Sequence, residues 1–330
     1  MTARIAAKTF YIAGRQFNWR ATIRQPPVDH WEIDMRCAAR VGVVALIAFM
    51  LPGLTTARAA VAQALTPTAA EMTARIIKQA GVSVPNPTVD TFKAGDPNTR
   101  VRGIAVTMMA TLDVLKRAAA NGDNLIITHE PTFYSHRDTL AILEEENDPV
   151  LAAKKKFIAE HGLVVWRFHD IPHRMQPDMI THGVIHALGW EAKQRGPSGQ
   201  LFDLPPTTLA SLAATVSKRL GANATRIIGD PKARVAKVGL TEGFPGFPAN
   251  RHVFQSHNID VLVIGEDHEW ETIEYATDAI SAGQLKGLIV IGHIPSEQAG
   301  MEEVARWLKT FITEVPIEFV ATRDPFRHLK

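Results

Sequence analysis

An apolar run passes directly into a helical pattern in Leu288-Ile-Val-Ile-Gly-His-Ile-Pro-Ser-Glu-Gln-Ala-Gly300. The first four residues predict a buried strand, and the apolar positions of residues 301–308 recur at helical spacing. A helix that begins near Pro295 would bring His293 and Glu297, four residues apart, onto one face, as two ligands of one metal require. A buried histidine with a first-turn glutamate favoured by the helix dipole would give the same pattern. Both interpretations stay open for this stretch alone.

The composition is that of a globular protein with one large or two smaller cores. The 330 residues are 46% hydrophobic and 21% charged, with a net charge of +2, and these proportions are ordinary for a folded domain. Beyond residue 64 the acidic residues slightly outnumber the basic ones, which does not favour a nucleic-acid-binding protein. Cys37 is the only cysteine. Any metal held beyond it must therefore be bound by histidines and carboxylates, a set that suits iron, manganese, zinc or cobalt.

Residues 35–64 have the order of a secretory signal peptide. A basic start at Met35-Arg-Cys-Ala-Ala-Arg40 precedes an apolar run at 41–51, and small-residue sites follow up to residue 64. The apolar run is too short to span a bilayer comfortably. We therefore expect a periplasmic or secreted protein with no stable membrane anchor after cleavage. Residues 1–34 are interpreted as an upstream extension that precedes the true start, and a cytosolic protein with a stray apolar helix is the alternative.

Beyond residue 64, short apolar runs alternate with helical patterns. Thr68-Ala-Ala-Glu71 is a capping box that predicts the start of a helix. The alternation of strands and helices predicts a two-lobed α/β sandwich with a largely parallel sheet. The first lobe is expected at 65–195 and the second at 196–330, with Gly196-Pro-Ser-Gly199 at the boundary. Lys154-Lys-Lys156 is expected on the solvated face of a helix.

Three predicted strands end in groups that bind metals. The first is followed by His129 and Glu130, the second by His169-Asp-Ile-Pro-His173, and the third by His293 and Glu297. In α/β proteins the site residues gather beyond the carboxyl ends of the strands. Each group alone is explained equally well by a solvated loop, but three such groups together favour one shared metal site.

The same residues resemble the motifs of a known family. Asn124-Leu-Ile-Ile-Thr-His-Glu-Pro131 resembles a strand that ends in His-His-Pro, and Gly292-His293 with Glu297 resembles a Gly-His-x-x-x-Glu motif. Ile317-Glu-Phe-Val320 resembles the closing strand that follows that motif. These features are typical of the NIF-three-like, dinuclear-metal, ring-hexamer family, also labelled type 2 GTP cyclohydrolase I. The resemblance spans residues 68–322 and implies two divalent ions per chain in the cleft between the lobes and a homohexamer.

The resemblance also implies a ligand set of three histidines and two carboxylates. The family's middle motif is His-Thr-x-x-Asp, and alignment on its first histidine places His173 where the family has aspartate. Glu130 in turn stands where the family has its second histidine, so the exchange keeps the charge of the set. The expected ligands are His129, Glu130, His173, His293 and Glu297. His169 and Asp170 are alternatives, as ligands or as partners that orient a ligating imidazole.

These groups predict a metal-dependent hydrolase that acts on a small molecule through a metal-activated water. Asp170 is the expected general base. The cyclohydrolase label would require a purine pocket and GTP, which a periplasmic enzyme rarely meets, so another substrate is expected. A non-catalytic metal-binding or scaffold hexamer is the alternative and would use the same ligands. The loops Glu242-Gly-Phe-Pro-Gly-Phe-Pro248 and Gly265-Glu-Asp-His268 are candidates for the rim of the pocket, and a solvated surface loop is the alternative for each.

Overall fold

The computed structural model describes residues 10–12, 15–17, 66–196, 199–256 and 258–327. The described part of residues 1–53 is an antiparallel pair of strands, β1 (Phe10–Ile12) and β2 (Arg15–Phe17). The expected signal peptide at 35–64 and most of the expected upstream extension at 1–34 lie outside the described residues. Within the described ranges, no helix combines the length and apolar character needed to cross a membrane.

Residues 66–327 form a mixed α/β fold with two five-stranded sheets, which confirms the α/β architecture expected from the sequence. The first sheet has the order β12-β4-β5-β6-β3 and the second the order β7-β9-β10-β11-β8. The strands are β3 (Phe92–Ala94), β4 (Ile104–Thr107), β5 (Leu125–Thr128), β6 (Val164–Arg167), β7 (Leu201–Thr208), β8 (Arg226–Ile228), β9 (Arg234–Thr241), β10 (Val261–Ile264), β11 (Gly287–Val290) and β12 (Ile317–Phe319).

Both sheets have a parallel centre. Strands β12, β4, β5 and β6 run parallel, with β3 antiparallel at the edge. Strands β9, β10 and β11 run parallel, with β7 and β8 antiparallel at the two edges. Every residue of β4, β5, β6, β10 and β11 is buried, as expected of parallel strands covered on both faces.

The last strand differs from the expected lobe division. β12 was expected within the second lobe, residues 196–330, but it pairs in parallel with β4 in the first sheet. The chain therefore leaves the second sheet after β11 and returns to the first. The first sheet is thus built from residues 92–167 together with a strand from near residue 318.

Helices cover the faces of both sheets. They are α1 (Ala69–Ala80), α2 (Leu112–Asn121), α3 (Ala141–Glu145), α4 (Pro149–Glu160), α5 (Asp170–Arg174), α6 (Met179–Leu188), α7 (Leu209–Leu220), α8 (Phe247–Ser256), α9 (Glu274–Ser281) and α10 (His293–Lys309), and a π-helical turn, Glu269–Ile273, leads into α9. The capping box predicted at Thr68 is present: its hydroxyl accepts from the Glu71 amide at 3.2 Å, and the Glu71 carboxylate accepts from the Thr68 amide at 2.7 Å. Helix α10 starts at His293, and Pro295 is tolerated because it lies in the first turn.

Lys154 is not on a solvated face, contrary to the expectation from the sequence. Lys154 is only 4% exposed, whereas the next residues of α4, Lys155 and Lys156, are exposed. The Lys154 ammonium donates to the main-chain carbonyl of Thr132. A run of three lysines looks uniformly polar, but successive helical positions differ by about 100° and therefore face different surroundings.

Helices α6 and α10 cross between the two sheets at a pair of glycines. An ideal Cβ on Gly300 would lie 2.4 Å from Ile180 Cα, and one on Gly183 would lie 2.5 Å from the Ala299 carbonyl oxygen. Ile180 and Met301 pack in the core of the first sheet. Other residues of the same helices pack against the core of the second sheet. The helix pair is therefore the shared layer of the two cores, and its spacing depends on the absence of two side chains.

Gly300→Ala should separate these helices and destabilise the protein. The added methyl group meets backbone atoms of α6, which cannot rotate away, so we expect a loss of about 2–3 kcal/mol in the free energy of unfolding. Urea unfolding followed by circular dichroism measures it. Glu302→Ala, at an exposed position of the same helix, is the control and should cost less than about 0.5 kcal/mol. Equal stability of Gly300→Ala and the wild type would contradict the tight crossing.

Candidate metal centre

Four imidazoles meet beyond the carboxyl ends of strands from both sheets. His129 directly follows β5, His169 and His173 follow β6, and His293 follows β11 as the first residue of α10. The ring centroids of His129 and His169 are 4.5 Å apart, and the His173 ring lies 5.1 Å from each of them. The structure thus brings together all four histidines, including His169, which the sequence left as an alternative.

Two buried carboxylates complete the cluster. Glu130 Oε1 lies 3.5 Å from His169 Nε2 and 3.5 Å from His293 Nε2. Glu297 Oε2 lies 3.0 Å from His293 Nε2 and 3.7 Å from His129 Nε2. The expected ligands therefore occupy one cluster. Its potential ligand atoms form two overlapping groups with all atoms within 4.8 Å, namely His129, His169 and His173, and His129, Glu130 and Glu297.

Each imidazole has its Nδ1 atom fixed by an oxygen. His129 Nδ1 lies 3.2 Å from the Phe168 carbonyl oxygen, and the other three Nδ1 atoms each lie close to a carboxylate. These pairs are His169 with Asp170 at 3.0 Å, His173 with Asp178 at 2.9 Å, and His293 with Glu266 at 2.8 Å. This arrangement is typical of metal-ligating histidines, because the Nδ1 partner fixes the ring and leaves Nε2 for the metal.

His129 has one ring nitrogen that no hydrogen bond satisfies. A carbonyl oxygen can only accept, so His129 Nδ1 carries the proton and Nε2 is a bare lone pair. That Nε2 atom is buried without a hydrogen-bond partner. It faces Glu297 Oε2 at 3.7 Å, and the other neighbour of that oxygen is His293 Nε2 at 3.0 Å. Burial, followed by the neighbouring His169 and His173, holds the pKa of His129 well below its usual value. Two buried acceptors therefore face each other where a proton is disfavoured, and a metal ion fits between them.

The carboxylates also concentrate positive charge on His293. Burial alone would lower the pKa of His293, but hydrogen bonds to Glu130, Glu266 and Glu297 outweigh it and raise the pKa to about 12. Burial would raise the pKa of Glu130. The hydrogen bond with His293 and the nearby imidazoles of His129 and His169 outweigh it and hold that pKa well below its usual value. The cluster thus favours ionised carboxylates and a positive charge among them.

Buried polar groups hold the ligand loops in place. Arg167, which is fully buried, donates to the carbonyl of His129 at 2.9 Å and to that of His136, and its Nη2 lies 3.5 Å from Glu130. Asp90 accepts from the amides of His169, Asp170 and Ile171 at 2.7–2.9 Å and thereby caps the short helix α5.

Both carboxylate oxygens of Asp170 have hydrogen-bond partners. One of its oxygens contacts His169 Nδ1, and the other accepts from the Thr88 hydroxyl at 2.8 Å and the Val89 amide at 3.1 Å. It is absent from the lining of the cavity beside the cluster. This geometry suits a carboxylate that orients an imidazole, and it differs from the general base expected from the sequence.

A cavity of about 730 Å³ opens onto the ligand cluster. Glu130, His169, His173, His293 and Glu297 line it together with residues of both candidate loops: Glu242, Phe244, Pro245 and Glu266. The remaining lining residues are Met109, Ala110, Thr111, Leu112, Pro131, Thr132, Tyr134, Ser135, His136, Lys154, Gln200 and Thr241. The loop after β9 packs closely against Glu297 at Gly243. This glycine has φ +63°, and there is no room for a Cβ at its position beside the Glu297 side chain.

Glu242 is a cavity carboxylate whose pKa is raised. Burial, together with the charges of Asp178 and Glu297, raises its pKa to about 7, although the Thr181 hydroxyl donates to it. A carboxylate that faces a cavity and has a pKa near neutrality is suited to proton transfer. The sequence placed this residue only in a loop near the pocket, because neither its burial nor its neighbours are visible in a linear pattern.

Three orienting groups were likewise missed by sequence reasoning. Asp178 precedes α6 and caps it through Oδ1, with the Ile180 amide at 2.8 Å, while Oδ2 holds His173. The position of Asp178 before a helical pattern predicts a helix cap, but it does not predict the contact with His173. Glu266 and Arg167 are far in sequence from the residues they hold, so their roles depend on tertiary structure.

Comparisons with known proteins agree with this fold. The profile of a family described as Duf34/NIF3 (NGG1p interacting factor 3) matches residues 60–325. The chain belongs to the DUF34/NIF3 family. A "GTP cyclohydrolase 1 type 2 homolog" of Chlamydia pneumoniae is 24% identical over 246 residues, which are 71% of this chain and 90% of that protein. The family resemblance inferred from the motifs is confirmed.

Solved structures share the fold at low identity. A Bacillus cereus protein related to NIF3 superposes with a TM-score of 0.60 at 13% identity, covering 80% of this chain and 99% of the other. Reduced HcgD from Methanocaldococcus jannaschii gives a TM-score of 0.55 at 12% identity, covering 77% of this chain and 97% of the other. At such identities the likeness supports the shared α/β architecture alone.

Glu266→Ala should weaken metal binding without unfolding the protein. The carboxylate is half exposed and fixes the ring of His293, so its loss should lower the metal affinity about 10–100-fold. Competition with a chromophoric chelator measures the affinity. Glu269→Ala removes another exposed carboxylate of the same segment that contacts Arg226 at 3.2 Å instead. The control should bind metal like the wild type, and equal affinities in all three proteins would refute the orienting role of Glu266.

Proposed function

We propose that the protein binds two divalent metal ions in the cleft between its lobes and is a metal-dependent hydrolase of a small molecule. The observation that carries the proposal is the buried His129 Nε2, which has no hydrogen-bond partner and faces the carboxylate oxygen Glu297 Oε2 at 3.7 Å. Membership of the DUF34/NIF3 family and the cavity beside the cluster support it.

The residues that would hold the ions are His129, Glu130, His173, His293 and Glu297, with His169 as a sixth ligand. Imidazole nitrogens and carboxylate oxygens suit iron, manganese, zinc or cobalt, and the described residues contain no cysteine that would favour a softer metal. His169 joins the proposed set because its ring stacks on His129 and its Nδ1 atom is already paired with Asp170. Asp170 is accordingly proposed as a positioning residue.

Bound divalent ions would act as Lewis acids that polarise an electrophilic centre and lower the pKa of a water. Glu242 is proposed as the group that takes up and returns the proton, because it is a cavity carboxylate whose pKa lies near neutrality. Phe244 and Pro245 of the same loop add apolar surface to the lining of the cavity.

A homohexamer located in the periplasm or outside the cell completes the proposal. The hexamer follows from the family resemblance, and the location follows from residues 35–64. A metal-binding or scaffold hexamer without catalysis remains the competing function, because it would use the same ligands. Turnover, rather than metal content, separates the two.

The purified protein should hold close to two divalent ions per chain. Replacing His129 and His293 together by alanine removes one ligand from each sheet, so most of the metal should be lost while the protein stays soluble. Elemental analysis by inductively coupled plasma mass spectrometry measures the content, and His182→Ala with His186→Ala, on exposed positions of α6, is the matched control. Full metal content in the His129/His293 variant would show that other residues bind the ions.

Glu242→Gln should abolish turnover without releasing metal. Gln keeps the shape and the contact with Thr181 but cannot accept a proton, so kcat should fall about 100-fold or more. The assay is a hydrolysis screen with p-nitrophenyl phosphate, bis(p-nitrophenyl) phosphate and p-nitrophenyl acetate, with metal content determined on the same samples. Absence of turnover on these and on amide and nucleotide substrates in the metal-loaded wild type would favour the non-catalytic function.

A further inference from the structure

The cavity contains a buried cation that the metal cluster does not use. Lys154 reaches it from α4. Its ammonium donates to the carbonyl of Thr132 and lies 5.6 Å from the ring centroid of Phe133 and 5.3 Å from that of Tyr134. An ammonium has three donors, and a single carbonyl satisfies only one of them.

No described carboxylate forms an ion pair with Lys154. The acidic group that acts on it is Asp138, which instead contacts Lys93 at 3.4 Å and Arg167 at 4.0 Å. Burial lowers the pKa of Lys154 to about 8, so the amine still carries its proton in most molecules at neutral pH. A buried charge without a counterion is costly, and a partner supplied from the cavity would offset that cost.

A second group beside Lys154 is also unpartnered. The hydroxyl of Thr132 is buried without a hydrogen-bond partner, and the residue, which lines the cavity, is only 1% exposed. Thr111 and Leu112, at the start of the ten-residue helix α2, line the same cavity. A cation, a free hydroxyl and the amino end of a helix all favour an anionic oxygen ligand.

We propose that Lys154, Thr132 and the start of α2 form a subsite for an anionic oxygen group, a phosphate or a carboxylate, of the ligand that enters the cavity. Lys154 gives this subsite a positive charge, whereas Glu130, Glu242 and Glu297 make the metal cluster acidic. The subsite binds an anion through protein donors alone.

The position of the subsite indicates the chemical class of the substrate. This step rests on the proposed hydrolase function. Thr132 follows Glu130 by two residues, so their Cα atoms are at most about 7 Å apart. A substrate whose anionic group contacts Lys154 would present a bond a few atoms away to the metal cluster. The expected substrate class is therefore a compact anionic molecule, such as a phosphorylated or carboxylated small compound.

The test measures the binding of inorganic phosphate to the purified full-length protein by isothermal titration calorimetry at pH 7. Lys154→Met keeps the length of the side chain but removes the charge, so the dissociation constant should rise about tenfold or more. Thr132→Val keeps the shape and should raise it about threefold. Lys155→Met removes the next, exposed lysine of α4 and should leave it within about twofold. Thermal unfolding checks that each variant is folded.

A second readout separates binding from structure. Lys154→Met should raise the KM for anionic p-nitrophenyl phosphate and leave that for neutral p-nitrophenyl acetate unchanged. Equal phosphate affinity in Lys154→Met, Thr132→Val and Lys155→Met would overturn the subsite and leave Lys154 as a structural clamp. A protein that holds no metal and cleaves neither ester would refute the hydrolase, but the phosphate titrations would still decide the anion subsite.

Discussion

The approach of α6 to α10 at Gly183 and Gly300 is the constraint on which the site depends. Each helix starts at a ligand segment: Asp178, which holds His173, caps α6, and His293 is the first residue of α10. The separation of the helices therefore sets the distance between groups supplied by the first sheet and groups supplied by the second. Because the contact is between backbones, that distance cannot adjust by side-chain rotation.

The electrostatics of the cluster depend on which ring nitrogens and carboxylate oxygens have a hydrogen-bond partner. Every Nδ1 atom of the four histidines has an oxygen partner, so the rings are fixed before any cation arrives. His129 Nε2 is a buried acceptor without a hydrogen-bond partner, and it faces Glu297 Oε2. Preorganised ligands lose little conformational entropy on binding. A cation that binds only the folded cluster would therefore stabilise the folded protein relative to the unfolded chain.

Much of this centre could be predicted from the sequence, because strand ends and helix starts are local patterns. His129, Glu130, His293 and Glu297 were found from an apolar run followed by polar groups. The burial of Lys154 could not be predicted, since a lysine run looks the same whether one member points inward or not. β7 was missed because Pro205 and Pro206 interrupt its pattern, and it is tolerated as a strand at the edge of the sheet. The contacts of Asp178, Glu266 and Arg167 are tertiary and have no local signature.

The return of β12 to the first sheet has a consequence for the order of synthesis. A nascent chain that ends before residue 293 contains β3–β11 but lacks two members of the cluster, and the β4 edge of its first sheet is still open. Neither the centre nor the complete first sheet can form during most of translation. Cation binding by this cluster would therefore require the finished polypeptide, and the compartment in which the chain completes its folding would decide which ions it encounters first.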